Sequence, residues 1–459
     1  MNLTGELIAV LDVGKTNAKL ALVEAGACEA SRVWQRPSRS IETPLGPCLD
    51  VRGIEAWVIS TLAQAGGREQ IRALVPIAHG AAAVLVDSRG EIVTAPDYEA
   101  RQFETVAEPY RAFRDDYATT CSPFLPLGLN LGRQFFFLKT RHPSAYGQAA
   151  RVLLYPQFWA WRFSGVAGSE VTSLACHTDL WDVRHGHYSP AAERLGLDAL
   201  LPPIRSAAEV LGPISVEFAQ ATGLRRDCRV LCGIHDSNAS YLCHSSWRPP
   251  AEPMTVVSSG TWVVVMARGA DLSRLRESEG MLANVDAHGT PVATARFMGG
   301  REYAAISGGG SRLLSPDLNA LRSVVRRRVM AVPPNAESGN VDPSIDAASL
   351  DCDERHALAS VYCALRVERL LELLDAAGDV VVDGPMAENA SFCALLATLR
   401  PRSKVVASTS PIGPALAASI LASPSTAQPP VYRGIDGLQV EGLADYRAAW
   451  RGRLVDRAQ

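Results

Sequence analysis

The chain has 459 residues, more than a single hydrophobic core usually organises, and this length predicts two domains of about 200 residues each. Its formal net charge of -3 offers no basic surface to nucleic acid or to an anionic membrane. The ten cysteines lack the C-x-x-C pairs of structural zinc sites, and no apolar run reaches the length of a membrane span. We therefore expect a cytoplasmic protein without nucleic-acid or membrane partners, whose cysteines are mostly small buried apolar residues.

The first predicted element is a β-hairpin. Leu7 to Leu11 is an unbroken apolar run, and Ala18 to Val23 follows the period of two that is typical of a strand. In the turn between them, Gly14 lets the backbone approach a ligand closely, and the next three residues supply hydrogen-bond donors. The turn is either a phosphate-binding loop or a plain hairpin turn. A P-loop is excluded, because that motif requires glycine at position 9, where the chain has alanine, and a helix afterwards.

Two further segments of the first half leave their roles open. Val75 to Val86 predicts a strand pair interrupted at His79-Gly80, and a glycine in a strand pattern indicates either a bulge or a ligand close to the backbone. Glu170 to Asp179 is a polar cluster that includes Cys176 and His177. It either lines a ligand pocket or caps helices and turns.

Residues 229 to 239 predict a strand, a tight turn at Gly233 and the start of a helix. Asp236 then lies at the helix N-terminus. Its carboxylate either caps free backbone N–H groups or accepts a proton from a substrate. This segment alone allows both roles.

The second half repeats the N-terminal pattern. Met254 to Val257 and Trp262 to Met266 are apolar and flank a hydroxyl-rich turn whose Gly260 lies 260 − 14 = 246 residues after Gly14. The proline-rich segment 244–253 separates the halves, which predicts domains over 1–243 and 244–459.

Alternating strands and helices in the second half predict an α/β domain. A helix containing Ala357 and Leu374 is expected to end at Gly378. Beyond it, Gly384 lies where a strand meets a helix, a usual position for nucleotide groups.

Three motifs, Leu11 to Asn17, Gly233 to Ser240 and Ser258 to Trp262, occur in this order at suitable distances. Together they resemble the FGGY family of carbohydrate kinases, nearest the L-rhamnulokinase and L-fuculokinase branch. The fold class implied by the resemblance is α/β, with two actin-like (ribonuclease H-like) domains and a central cleft. The first domain would bind the sugar, and the second would bind the nucleotide.

The resemblance also implies an activity: ATP-dependent transfer of the γ-phosphate to a hydroxyl of a ketose or polyol, with Mg²⁺ and in a homodimer. Asp236 would be the general base, and Asp12 would face the magnesium ion. The other implied contacts are sugar contacts by His79, Gly80, His235 and Ser237, and nucleotide contacts by Gly14, Lys15, Thr16, Asn17, Gly260, Thr261 and Gly384.

Two residues depart from the family pattern. Lys15 stands where the family usually has a small residue, so it either adds a cation at the phosphates or covers the turn. Pro385 interrupts what is usually a run of glycines after Gly384, and it has no N–H to offer the nucleotide. The alternative function is an inactive actin-like protein that binds sugar or nucleotide. Asp236 argues against this alternative, because a pure binder needs no base.

Overall fold

The chain folds into two compact units in a computed structural model that describes residues 5–309, 315–333, 344–345, 349–409 and 413–456. Unit 1 comprises Met1–Trp247, Leu275–Val292 and Ile412–Pro429, and unit 2 comprises Arg248–Arg274, Ala293–Pro411 and Pro430–Gln459. Unit 1 thus includes two segments from the second half of the chain, Leu275–Val292 and Ile412–Pro429. The division into domains at 243/244 stays a prediction.

Strands and helices alternate over much of the chain. The strands are β1 (Leu7–Val13), β2 (Asn17–Glu24), β3 (Ala30–Pro37), β4 (Ser40–Thr43), β5 (Gly46–Leu49), β6 (Ile71–Ala78), β7 (Ala83–Val86), β8 (Ile92–Thr94), β9 (Arg151–Leu154), β10 (Trp181–Asp182), β11 (His187–Tyr188), β12 (Val210–Pro213), β13 (Arg229–Leu231), β14 (Ile234–His235), β15 (Met254–Ser259), β16 (Val263–Arg268), β17 (Leu282–Val285), β18 (Pro291–Phe297), β19 (Ala331–Val332), β20 (Ser344–Ile345), β21 (Asp379–Asp383), β22 (Val405–Ser408) and β23 (Tyr432–Gly434). The α-helices are α1 (Val51–Gln64), α2 (Ala107–Phe113), α3 (Tyr117–Thr120), α4 (Leu131–Arg141), α5 (Pro143–Gln148), α6 (Tyr155–Ser164), α7 (Val171–Leu174), α8 (Pro190–Leu195), α9 (Val216–Thr222), α10 (Asp236–Ser245), α11 (Gly299–Ser307), α12 (Leu318–Arg326), α13 (Cys352–Leu373), α14 (Ala390–Leu399), α15 (Pro414–Ala422) and α16 (Leu443–Asp456). Within the described ranges, no helix is long and apolar enough to cross a membrane.

The main sheet of unit 1 has the strand order β12-β13-β6-β1-β2-β3, with β14 also paired to β6. β1 runs antiparallel to β2 and parallel to β6. Its alternate residues enter two separate cores, Leu7 and Leu11 on one face and Ile8 and Val10 on the other. Burial on both faces explains why β1 reads as a continuous apolar run. The polar residues that follow β1 and β14 lie at the same edge of the sheet.

The sheet of unit 2 repeats this arrangement. β18, β16, β15, β21, β22 and β23 lie side by side in that order. β15 is antiparallel to β16 and parallel to β21, as β1 is to β2 and β6. The internal repeat predicted from the two glycine-containing turns is therefore confirmed.

Two local predictions were wrong. Strands β6 and β7 do not pair: β6 lies in the main sheet, whereas β7 pairs with β8 and β9, because the chain turns away after Gly80 and Ala81 adopts φ 54°. Helix α13 ends at Leu373 rather than at Gly378. Asp375 already takes a left-handed conformation (φ 51°) there, and the Ala376 N–H bonds back to the carbonyl of Leu371.

Candidate active site

The turn between β1 and β2 is held by backbone hydrogen bonds. The Gly14 N–H donates to the carbonyl of Asn17 (2.9 Å). Ser38, which follows β3, donates its N–H to the carbonyl of Thr16 (2.9 Å) and its hydroxyl to that of Gly14 (2.8 Å). The shape of the loop therefore depends on the neighbouring strand as well as on its own sequence.

Lys15 forms an ion pair with Asp97 within unit 1. Its ammonium lies 2.5 Å from both carboxylate oxygens of Asp97, 3.5 Å from Glu99 and 5.0 Å from the ring centroid of Tyr98. Burial raises the pKa of Asp97, but the hydrogen bonds from Lys15 outweigh burial and hold this pKa below its ordinary value. Of the two roles left open by the sequence, this geometry favours covering the turn.

Asp12 and Asp236 bring two carboxylates into one neighbourhood. Asp12 lies near the end of β1, half-buried, and pairs in register with Lys19 and Ile77. Burial, and then the negative charge of Asp236, raise the pKa of Asp12 to about 7, against a small opposing effect of Lys19. Two neighbouring carboxylates offer the hard oxygen ligands that a divalent cation prefers. A bound cation would also relieve the repulsion between their negative charges.

Asp236 is the first residue of α10, not its N-cap. The N-cap is His235, whose side chain makes no capping hydrogen bond. The Asp236 carboxylate accepts from the Ser237 N–H (2.6 Å) and hydroxyl (3.3 Å) through Oδ1 alone. Within the described part of the chain Oδ2 receives no hydrogen bond, and the side chain is 38% exposed. The carboxylate therefore does satisfy one free backbone N–H of the first turn, although from the first helical position, and its role as a base stays a prediction.

His235 is oriented by Asn238. The Asn238 amide nitrogen donates to the carbonyl of Val285 (2.5 Å), so its oxygen is the acceptor for His235 Nδ1 (2.9 Å), which must carry a hydrogen. His235 Nε2 lies 3.2 Å from Asp236 Oδ1 and 3.4 Å from Cys176 Sγ. Burial lowers the pKa of His235, but Cys176 and Asp236 outweigh burial and raise it to about 10. Nε2 makes its hydrogen bond to Cys176 Sγ and lies within ion-pair distance of Asp236 Oδ1.

Cys176 lies between two histidine rings. His177 is fixed by an Nδ1–H bond to the carbonyl of Leu129 (2.7 Å). Burial raises the pKa of the Cys176 thiol, but His177 and His235 outweigh burial and lower it to about 5. Eight of the ten cysteines are buried, as expected, but Cys176 contacts His235 Nε2 and so is more than an apolar filler.

Glu170 reaches the same histidine through Thr172. Its Oε2 accepts from the Thr172 hydroxyl (2.5 Å), and that hydroxyl oxygen accepts from the backbone N–H of His235 (3.1 Å). Glu170 also caps α7 through the Ser173 N–H (3.2 Å). Burial raises its pKa to about 7. Of the two roles left open by the sequence, Glu170 shows the capping one, and a pocket lined by the polar cluster at 170–179 stays a prediction.

His79 and Gly80 complete this surface. The His79 N–H donates to the carbonyl of Val13 at the end of β1 (3.0 Å), and its Nδ1 bonds to the Gly80 carbonyl (2.8 Å). Its ring packs edge-on against Tyr98 and Tyr155, and burial lowers its pKa, so the ring is neutral. Six of the predicted residues therefore lie around the ends of β1, β6 and β14: Asp12, His79, Gly80, His235, Asp236 and Ser237.

Gly80→Ala should disturb this arrangement. The added Cβ would lie 2.9 Å from His235 Nε2 and 3.0 Å from Cys176 Sγ, both buried. We expect a loss of about 1 to 3 kcal/mol in the free energy of unfolding, measured by urea denaturation. Gly147→Ala in α5 is the matched control, because nothing lies within 4 Å of its added Cβ, and it should be neutral or stabilising. If both variants had the same midpoint of urea denaturation, the close packing at Gly80 would be contradicted.

In unit 2, the predicted nucleotide residues also gather around one hairpin turn. The Ser259 hydroxyl donates to the Asp383 carbonyl (2.5 Å) and accepts from the Met386 N–H (2.9 Å), which holds Gly384 beside the turn. A Cβ on Gly384 would lie 2.1 Å from the Ser259 carbonyl oxygen. The Gly300 N–H donates to the carbonyl of Thr261 (3.2 Å), next to Gly260. Pro385 begins a 3₁₀-helix (Pro385–Glu388), where its missing N–H breaks no helical bond.

Several site residues were missed by the sequence reasoning. Asn238 had a usable signal, since it lies three residues after His235 at a helix start and so on the same side of the helix. Asp97, Ser38 and Gly300 had none, because their contacts join segments far apart in the chain.

Family models match both halves of the chain. The FGGY family of carbohydrate kinases, N-terminal domain, matches residues 113–243, and the carbohydrate kinase FGGY, C-terminal domain, matches residues 251–429. A crystal structure of a carbohydrate kinase from Novosphingobium aromaticivorans is 33% identical, with a TM-score of 0.88, and the match covers 99% of each chain. The fold class predicted from the sequence, α/β with two actin-like domains, is confirmed.

Curated relatives match over shorter stretches. The L-xylulose/3-keto-L-gulonate kinase of Escherichia coli (strain K12) is 30% identical over 111 residues, which is 23% of this chain and 22% of the relative. The L-fuculokinase of Haemophilus influenzae is 29% identical over 134 residues, 29% of this chain and 27% of the relative. These matches span less than a third of the relatives' lengths. The family models and the full-length structural match together show that the chain belongs to the FGGY family of carbohydrate kinases.

Proposed function

We propose that the protein is an ATP-dependent kinase that phosphorylates a hydroxyl group of a ketose or polyol, with Asp236 as general base. The proposal rests on the exposure and the hydrogen bonding of the Asp236 carboxylate. It is part-exposed at a helix N-terminus, its Oδ1 is held by Ser237 and His235, and its Oδ2 receives no hydrogen bond from the described residues. An N-cap aspartate would stand one position before the helix, whereas Asp236 is the first residue of α10.

In this mechanism, Asp236 Oδ2 accepts the proton of the sugar hydroxyl as the hydroxyl oxygen attacks the γ-phosphorus of ATP and ADP leaves. Phosphoryl transfer depends mainly on positioning and charge neutralisation. The Ser237 N–H holds Oδ1, and the ring of His235, which is bonded to Asn238 and Cys176, lies beside it, so the base keeps one orientation. The neutral His79 and the bare backbone of Gly80 are proposed sugar contacts, together with Ser237.

Asp12 is the residue proposed to face Mg²⁺. Its half-buried carboxylate, with a pKa raised to about 7 by burial and by the charge of Asp236, fits a hard divalent cation. When bound, Mg²⁺ would neutralise charge on the phosphate oxygens. Asp12 itself would supply one oxygen ligand, directly or through water.

The proposed nucleotide contacts fall in both units. Unit 1 contributes Gly14, Lys15, Thr16 and Asn17, and unit 2 contributes Gly260, Thr261 and Gly384. Because the ammonium of Lys15 is bound to Asp97, its contribution to the phosphates would require that ion pair to open.

The names of the relatives guide the choice of substrates. L-xylulose, 3-keto-L-gulonate and L-fuculose head the panel, since they are the substrates in those names. Other ketoses, polyols and aldoses complete it. A homodimer and a cytoplasmic location stay predictions.

The test is ADP release from Mg-ATP across this panel. We expect release that depends on one class of sugar and that exceeds the rate without sugar. If a folded protein releases no ADP with any sugar, but its melting temperature rises with a sugar or a nucleotide, the binding-only alternative replaces the kinase.

A further inference from the structure

The short hairpin β10–β11 in unit 1 carries a second cluster of ligating side chains. Trp181 pairs with Tyr188 and Asp182 with His187 across this hairpin, and His185 lies in its turn. One ligating atom from each of Asp182, His185 and His187 lies within 4.8 Å of the other two. None of the contacts described above for Asp236 and its neighbours involves this hairpin.

Both imidazoles have the tautomer of a metal-binding histidine. Asp182 Oδ1 accepts from the N–H groups of Arg184 and His185 (3.0 Å each), which fixes the turn, and Oδ2 accepts from His185 Nδ1 (2.8 Å). His187 Nδ1 donates to the carbonyl of Tyr188 (2.8 Å). In a neutral ring the hydrogen on Nδ1 leaves Nε2 with its lone pair. Metal-binding histidines typically donate their second ring nitrogen to a carboxylate or carbonyl in this way.

The two rings are arranged together at the surface. They stack with centroids 5.8 Å apart and planes 19° from parallel, and the His185 side chain is 70% exposed. The neighbouring cation, Arg184, is bonded through Nε to the carbonyl of Ala118 (3.3 Å). Tetrahedral binding at about 2.1 Å requires ligand atoms about 3.4 Å apart. His185 and His187 are both exposed, so rotation of their side chains can bring their ring nitrogens to this spacing.

We propose that His185 and His187 form a surface site for a borderline divalent cation of the Zn²⁺, Ni²⁺ or Cu²⁺ class, with Asp182 as the carboxylate that orients His185. Two imidazole nitrogens suit these ions, whereas Mg²⁺ and Ca²⁺ prefer oxygen alone. The site is separate from the proposed Mg²⁺ position at Asp12. Because the hairpin orders the ligands only in the folded chain, a bound ion would stabilise the fold.

The test is calorimetric titration of ZnCl₂ into the untagged, chelator-treated full chain, with the melting temperature measured in parallel. We expect a one-to-one complex that raises the melting temperature. In His185→Ala/His187→Ala the affinity should fall by at least about tenfold and the thermal shift should vanish. His288→Gln, an exposed turn histidine elsewhere in unit 1, is the matched control and should bind as the wild type does.

Asp182→Asn is a second variant, which keeps the acceptor for the turn but removes the charge. It should weaken Zn²⁺ binding about 10- to 100-fold. Zn²⁺ bound at the Asp12 and Asp236 carboxylates or at thiols would survive in the double histidine variant. Unchanged Zn²⁺ affinity in that folded variant, or no Zn²⁺ binding by the wild type, would overturn the proposal. The double variant should keep wild-type ADP release, so this test does not depend on the proposed function.

Discussion

Asp236→Asn should lower sugar-dependent ADP release by about 10²- to 10⁴-fold, the usual contribution of a general base. The amide keeps an oxygen that accepts from the Ser237 N–H, so the start of α10 should fold as before. The group that replaces Oδ2 is a donor and has no basic lone pair for the proton of the hydroxyl. The loss should therefore appear in kcat, with little change in the melting-temperature shift caused by sugar or nucleotide.

Asp227→Asn is the matched control for this substitution. Asp227 lies in the same unit shortly before β13, and its side chain is 60% exposed in an ion pair with Arg225. It should keep wild-type kcat. If Asp236→Asn retained near-normal turnover, Asp236 would have no part in the proton transfer, and the proposed mechanism would fail even if the kinase activity stood.

Arg114→Met should cause the largest loss of stability among single substitutions away from the site. Arg114 Nη2 lies 2.9 Å from Asp179 Oδ1, and the two side chains are 6% and 0% exposed. The Tyr110 hydroxyl donates to the other oxygen of Asp179 (2.7 Å), and Arg114 also binds Glu277 (2.7 Å). Removing one member of a buried pair leaves a buried charge. We expect a loss of about 3 to 5 kcal/mol in the free energy of unfolding.

This loss should depend on pH. Burial raises the pKa of Asp179 above its ordinary value even beside Arg114, and removing the cation should raise the pKa further. A carboxyl group whose pKa is higher in the folded than in the unfolded state loses stability as pH rises between those two values. Relative to the wild type, the variant should therefore be less destabilised at pH 5 than at pH 8.

Urea denaturation at both pH values measures this difference. Arg225→Met, which breaks the exposed pair with Asp227, is the control and should leave the midpoint almost unchanged. Equal midpoints for Arg114→Met and Arg225→Met would mean that the Asp179 carboxylate is not held by Arg114 in solution.

The local elements of the site were predictable from the sequence. The hairpin around Gly14 and its repeat around Gly260 follow from apolar runs and small turn residues within about 20 positions. Strand β14 followed by α10 at Asp236 follows from the glycine turn at Gly233, whose φ of 84° suits glycine. The predicted sheet-edge residues thus lie where strand ends meet, as expected for an α/β fold.

The roles of individual side chains were less predictable. The sequence left Asp236 between capping and catalysis, because both need a carboxylate at a helix start. The structure adds that Asp236 is the first residue of α10 and that its Oδ1 lies 3.2 Å from His235 Nε2, while its role as general base stays a proposal. The end of α13 also differs from the prediction, because the left-handed conformation of Asp375 ends the helix before the expected glycine.

The sequence by itself determined the apolar periods, the turns and the order of the motifs, because these depend on residues close together in the chain. Only the tertiary structure decided that Lys15 pairs with Asp97, 82 residues away, and that Cys176 contacts His235, 59 residues away. Likewise, only packing places α15 in unit 1, against β1 and α10. Such contacts depend on how whole elements pack, and the lowered pKa of Cys176 and the raised pKa of His235 follow from that packing rather than from residue type.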